Sequence, residues 1–362
     1  MPRCILFLCA LLPAVLTLPA SAQLADPQAQ PAPATAAEPP AAATPAMTNE
    51  QKLEQYRRDQ INLLALRPDA ESLLAATLLA DADADDKHRP ASLKSPALLK
   101  RAQNNGAASS LVWWVTAAAD CHTAPKTCPS VEVLQKLESL DAENAAIWLL
   151  ALWHAQQAND APAARAALTS AAQAKHYNDY FGALVNAIFH AQEVLPMSNE
   201  LLNASGADTS VDGFHLLTAA SIALSKVSLP SGSALREACK PAEPADSSVV
   251  ADCIAVAQKL ESSGSLFARG AGLTLHETLL APGPDLDALR AQKRALAWQM
   301  QSMGDLAGRL ANEQRVTRTY LDALAESRDE TAAVSAVLRS QGIPREPPPG
   351  WQPPASAPSP QP

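Results

Sequence analysis

Asn144-Ala145-Ala146-Ile147-Trp148-Leu149-Leu150-Ala151-Leu152-Trp153-His154-Ala155-Gln156-Gln157-Ala158-Asn159-Asp160-Ala161-Pro162-Ala163-Ala164-Arg165-Ala166-Ala167-Leu168 reads as two helices and the turn between them. Asn144 is a side chain suited to cap the first helix, which carries Trp148, Leu152 and Ala155. Asn159-Asp160 breaks the run. Asp160 then caps a second helix with Pro162 in its first turn, where a missing N–H costs little. Trp114 and Trp148 lie 34 residues apart, as do Leu134 and Leu168. A period of that length belongs to paired-helix repeats.

The same signals continue outward. Pro68-Asp69 precedes Ala70-Glu71-Ser72-Leu73-Leu74, a helix start. Asn104-Asn105-Gly106 ends one helix, and Ser109 or Ser110 can cap the next, which carries Leu111, Trp113 and Trp114. Pro282-Gly283-Pro284 stops the chain before Asp285. Of the 362 residues 48% are hydrophobic but only 4% aromatic, and alanine and leucine dominate. That balance favours helices over sheets, and no stretch sustains the period-2 alternation that a sandwich or barrel needs many times over. The predicted fold is all-α, an array of antiparallel helical hairpins over residues 49–342.

Both ends differ from this body. Residues 1–22 read as a secretory signal: Arg3, an apolar run from Cys4 to Leu18, and the small-residue cleavage site Ala20-Ser21-Ala22. The run is shorter than a membrane span of about 20 residues, and no later segment reads as one. Cys9 as a lipid-bearing cysteine is disfavoured by Leu8, which stands where a small residue is needed. Residues 23–48 hold 10 Ala and 6 Pro among 26 positions, a disordered tether that cannot bury enough apolar surface to offset its ordering entropy. Residues 343–362 form a second Pro-rich segment, in which Trp351 stands between prolines. A polyproline stretch loses little entropy on ordering and a Trp is a large anchor, so Trp351 is expected to dock on a groove of this chain or of a partner.

Removing the signal takes away Arg3 and no acid, so the net charge of −9 becomes −10, with 27 basic against 37 acidic residues. Phosphate partners require a basic face, which excludes nucleic acid as the expected ligand. Four cysteines remain, and an even count fits disulfides in an oxidising compartment, here the periplasm. Each of two pairs brackets a helix–turn–helix where the chain already returns on itself. Cys121–Cys128 and Cys239–Cys253 are thus the economical choice among three connectivities. A zinc site of Cys121, His122, Cys128 and His154 would need a tighter cysteine spacing than six intervening residues.

The stretch Asp141-Ala142-Glu143-Asn144-Ala145-Ala146-Ile147-Trp148 resembles the opening of a tetratricopeptide repeat. Ala164, Leu168 and Ala171 are similar to that family's second-helix positions, and Asn159-Asp160 to its turn. The matching residues span about 110–174 within a repeat-like part of about 110–205. Leu152 departs from the family's small glycine and Ala155 from its tyrosine. The resemblance implies a concave groove lined by first helices. Here the groove face would carry Ala146, Leu149, Trp153, Gln156 and Gln157, with Trp148 packed inside its own hairpin. Positions 148 and 153 differ by about 140° around a helix.

Other patterns carry less. Asp81, Asp83, Asp85 and Asp86 open like a calcium loop, but Asp86 stands at the glycine position and Ser92 at the bidentate glutamate position. His276-Glu277 lacks a second histidine at 280, which is Leu, so it is no zincin motif. Gly264, Gly270 and Gly272 fit a helix junction better than a phosphate loop. A heptad-like stripe, Leu289, Leu296, Met303, Leu310 and Leu324, interrupted at Thr317, fits packing within the domain better than a coiled coil. No catalytic residue, metal site or cofactor is expected. The expected role is a non-catalytic periplasmic scaffold that binds a protein or peptide. The alternatives are an enzyme whose site has no local signature, and an inhibitor- or immunity-type binder of a periplasmic enzyme.

Overall fold

The computed structural model describes residues 47–354, apart from 83–88, 106–108, 125–126, 228–230 and 241–245. The signal at 1–22, nearly all of the tether at 23–48, the tail from 355 onward, and Asp83, Asp85 and Asp86 of the acidic run lie outside the described residues. The chain divides into Met1–Thr48 and Asn49–Pro362, and the helices belong to the second unit.

That unit is all-α, with no strand among the described residues. It opens with α1 (Asn49–Ala65), α2 (Ala70–Ala82) and α3 (Ser95–Asn104). Asp69 starts α2 by accepting from the Ser72 N–H at 2.7 Å. Then come α4 (Ser110–Thr123), α5 (Val131–Asp141), α6 (Ala145–Gln157) and α7 (Ala161–Gln173). The Asn144 side chain caps α6 through Ala146 N–H, and Asp160 caps α7 through Ala163 N–H, with Pro162 in the first turn. Helices α8 (Phe181–Gln192), α9 (Asn199–Ala204) and α10 (Val211–Val227) lead to the short α11 (Ser231–Ala238). A second tight hairpin follows, α12 (Ser247–Glu261) and α13 (Leu266–Leu279). A Cβ on Gly272 would come within 2.6 Å of the Leu260 Cβ and 2.7 Å of the Ala257 carbonyl oxygen, so this hairpin is closer than any side chain at 272 permits. The glycine cluster thus does mark a helix junction.

The heptad-like segment is three helices, α14 (Pro284–Asp305), α15 (Ala307–Asn312) and α16 (Gln314–Ser327), followed by α17 (Glu330–Ser340). At the α15–α16 corner the Thr317 hydroxyl donates to the Leu310 carbonyl at 2.6 Å, which is why the stripe is interrupted there. The stripe is consumed within the chain. Leu289 and Leu296 pack with Leu273 of α13. Leu321 and Leu324 join the main core, with Met303 and Leu310 against it.

Neighbouring helices pair as α2 with α3, α4 with α5, α6 with α7, α12 with α13, and α16 with α17, a repeat-like arrangement. The main core nevertheless joins distant parts of the sequence: Leu64, Leu74, Trp114, Leu150, Leu184, Ala219 and Leu324 share one cluster. In a pure stack each repeat touches only its neighbours. Here α8 meets both α2 and α16, so the array also packs across itself. A second cluster, built from α6, α7, α11 and α12 with Leu149, Leu168, Leu235 and Val256, lies beside the candidate site.

Candidate functional site

The disulfides are those the sequence pairs, Cys121–Cys128 and Cys239–Cys253. Cys121 and Cys128 are therefore bonded to each other rather than available as metal thiolates. The second bridge ties the end of α11 to the middle of α12, and both sulfurs lie in the second cluster. Helix α11 lies across α6, where Gln156 Nε2 donates to the Ala234 carbonyl at 3.0 Å.

This placement corrects the expected groove face. Ala146 and Leu149 are only 1% and 2% exposed: Ala146 belongs to the main core, and Leu149 packs in the second cluster with Leu235 and Cys239. Both are core because α11 and the neighbouring helices cover the face they occupy. The open part is displaced one turn along α6. There Trp153, Gln156 and Gln157 line a groove of about 740 Å³, together with Leu152, Asp160, Ala164, Arg165 and Leu168 on the α6–α7 side and Glu237, Ala238 and Val249 from α11 and α12. Trp148 faces away from it. Its indole N–H donates to the Ala142 carbonyl at 2.8 Å, and its ring lines a smaller groove of about 360 Å³ with Glu138 and the alanines of α7. The angular separation of 148 and 153 is thus realised as two openings on the same hairpin.

Of the three charged side chains that line the larger groove, Arg165 and Asp160 are engaged within the chain, while Glu237 stands exposed on the α11 side. Arg165 pairs with Asp252 at 2.5 Å and donates to the Ser248 hydroxyl at 3.1 Å. Asp160 is engaged as the cap of α7. Trp153 is half-buried, and its indole nitrogen is shut off from solvent with no hydrogen-bond partner among the described residues. A buried donor left unpaired carries a desolvation cost of about 1–3 kcal/mol. In the smaller groove, burial raises the Glu138 carboxyl above its ordinary range.

Trp351 lies on the opposite side of the sequence pattern, against α14. Its ring meets Trp298 edge-to-face at 5.4 Å between centroids. Trp298 Nε1 donates to the Pro344 carbonyl at 2.9 Å and Gln299 Nε2 to the Arg345 carbonyl at 3.1 Å. Residues 344–351 therefore run as a strap held by side-chain donors of α14.

The largest polar feature that local sequence did not reveal is a meeting of three helix starts. Asp179 Oδ1 accepts from the Phe181 N–H at the start of α8 at 3.1 Å. Glu330 Oε2 accepts from Leu266 N–H at the start of α13 at 2.9 Å, and Asp329 caps α17. Thr331 N–H donates to the Gly264 carbonyl, locking the two turns together. Burial raises Asp179, and burial with the nearby Asp179 and Asp329 charges pushes Glu330 up to about 7. These carboxylates serve helix N-termini, so their first role is structural.

No protein-family model, curated protein or solved structure matches this chain.

Proposed function

We propose that this chain is an exported, non-catalytic scaffold of helical hairpins, related in design to tetratricopeptide repeats over about 110–205, that binds a protein or peptide partner in the groove at Trp153. The observation that carries the reading is the Trp153 side chain. A large ring stands half-buried on the wall of an open groove, beside the uncharged Gln157. Aromatic anchors of this kind are the residues whose truncation costs an interface about 2 kcal/mol or more. The covering helix α11 is fixed by a disulfide, which suits a preformed site. Export is supported by the leader pattern and by the two disulfides, and no helix among the described residues is long and apolar enough to cross a membrane.

The test is Trp153→Ala in a pull-down from periplasmic extract, run beside a thermal melt. Capture of a defined partner by the wild type, lost in the variant at an unchanged melting temperature, supports the groove. A melt lowered by many degrees, with no partner for either protein, overturns it.

A further inference from the structure

The α6–α7 hairpin has a second opening, the smaller groove of about 360 Å³ at Trp148, and its walls carry a chemistry of their own. Along its α7 side run Ala163, Ala167 and Ser170, at the i, i+4 and i+7 spacing of one helix face, so this wall is a trough of small side chains. Trp148 borders the trough, half-buried. Its indole N–H already donates to the Ala142 carbonyl, which leaves the carbon surface of the ring for an occupant.

Glu138 comes to the same groove from α5. It is half-buried and has neither a hydrogen bond nor an ion pair among the described residues. The other acid on the walls, Asp160, is engaged at the start of α7, and no lysine or arginine lines the groove. His154 is the remaining titratable side chain there, with its Nδ1 shut off from solvent. A carboxylate that has lost part of its water without gaining a counter-ion is destabilised, and burial accordingly holds the Glu138 carboxyl above its ordinary range. A cation brought to it relieves that cost.

The rest of the walls selects the kind of cation. A metal ion of the calcium or magnesium type needs several oxygen ligands, and no group of three metal-ligating side chains occurs among the described residues. Alanines and an indole ring suit methylene carbons instead, and the face of a tryptophan attracts an ammonium charge.

We infer that the smaller groove binds an organic ammonium ion with an aliphatic arm, its charge at the Glu138 carboxylate and its carbons on Trp148 and the α7 alanines. The site is separate from the groove at Trp153 and stands whether or not a partner occupies that one. A free alkyl diamine and a lysine side chain both carry this chemistry.

The experiment follows the indole N–H resonances of the full chain, with its 6 tryptophans. Cadaverine, doubly blocked lysine and the uncharged doubly blocked norleucine are each titrated to about 10 mM, a range that reads weak binding. The amines are expected to shift the Trp148 resonance and the norleucine derivative to leave it in place. The tighter of the two amines identifies the source, free amine or protein side chain. Glu138→Gln keeps the shape and removes the charge, and is expected to weaken amine binding about tenfold or more, the scale of one hydrogen bond to a charged group. Glu237→Gln, at the larger groove, is expected to leave the Trp148 shift unchanged. Added salt should weaken the amines in the wild type, which reads the charge contact without any variant. A norleucine derivative that shifts Trp148 as strongly as the amines overturns the charge assignment. Amine binding that keeps its strength in Glu138→Gln, or that shifts Trp153 and not Trp148, overturns the site, as does the absence of any Trp148 shift with both amines.

Discussion

Asn144 and Asn178, 34 residues apart, exchange two hydrogen bonds: Asn144 Oδ1 accepts from the Asn178 N–H at 2.9 Å, and Asn144 Nδ2 donates to the Asn178 carbonyl at 2.9 Å. The same Asn144 amide caps α6 through Ala146 N–H at 3.1 Å and donates to Asp141 Oδ2 at 3.0 Å. Its side chain is fully buried. One residue thus starts the α6–α7 hairpin and fastens its far end, where Ala145 N–H also donates to the His176 carbonyl.

Asn144→Ala is therefore expected to destabilise the protein by about 2–4 kcal/mol, more than an ordinary cap, because buried partners on both sides lose their bonds. Asn144→Asp keeps the acceptor oxygen but loses the donor and adds a charge beside Asp141, so it should be no milder. Urea unfolding of the two variants checks this. A loss under 1 kcal/mol for both would mean that Asn144 does not hold the hairpin.

The hairpin was legible because its signals are local. Asn144, Asp160 and Pro162 act within a few residues of where they stand, and the disulfides close loops of 7 and 14 residues. Coverage was not legible. The apolar side chains of Leu149 and Leu152 say that one face of α6 is buried, but not that α11 buries it. The sequence of α11, Ser231-Gly232-Ser233-Ala234-Leu235-Arg236-Glu237-Ala238, gives a weak helix signal. Trp153 and Gln157 stayed on the open side, while Ala146 and Leu149, read as groove residues by family resemblance, became core. The Asp179–Glu330 neighbourhood joins residues far apart in the chain, and no pattern in one sequence announces such a meeting.

Removing the bridge between α11 and α12 tests how far the groove depends on it. In the chain-entropy account a loop of 14 residues stabilises by about 3 kcal/mol, and one of 7 by slightly less. Cys239→Ser with Cys253→Ser is expected to lower stability by about 2–3 kcal/mol and to expose Leu149 by loosening α11. Hydrogen exchange along α6 should rise, and the paired Cys121→Ser and Cys128→Ser variant should leave that exchange unchanged. Equal exchange in both variants would show that α11 is held without its bridge.

Trp351→Ala should release the strap without unfolding the body. The edge-to-face contact with Trp298 contributes about 0.5–1.5 kcal/mol beyond area burial, while Ile343 still packs on the main core. The Trp298 indole proton is expected to exchange with solvent faster, with a small fall in melting temperature. Unchanged exchange would mean that the Pro344 and Arg345 carbonyls alone hold the segment.

Glu330 gives the chain a pH dependence whose sign is opposite to ordinary acid denaturation. Its carboxyl titrates near 4.5 when unfolded and at about 7 when folded, pushed up first by burial and then by Asp179 and Asp329. Between those values the folded state binds more protons than the unfolded state, so stability falls as pH rises from about 4.5 to about 7. The contribution is fully present below 4.5 and lost above 7. Asp179, also raised by burial, acts in the same direction. His215 opposes both: burial lowers it from 6.5, so its neutral form must be charged on unfolding in acid. The variant Glu330→Gln isolates the term, because Gln keeps an acceptor for the Leu266 N–H and carries no charge, while His215 is common to both proteins. Glu330→Gln is expected to match the wild type near pH 4.5 and to exceed it by about 1–3 kcal/mol at pH 8, from the shift of one group. Urea unfolding across pH 4.5–8 reads the difference. A gap that stays constant over that range would show that Glu330 is charged in the folded protein throughout, and that the three helix starts, rather than burial, set its state.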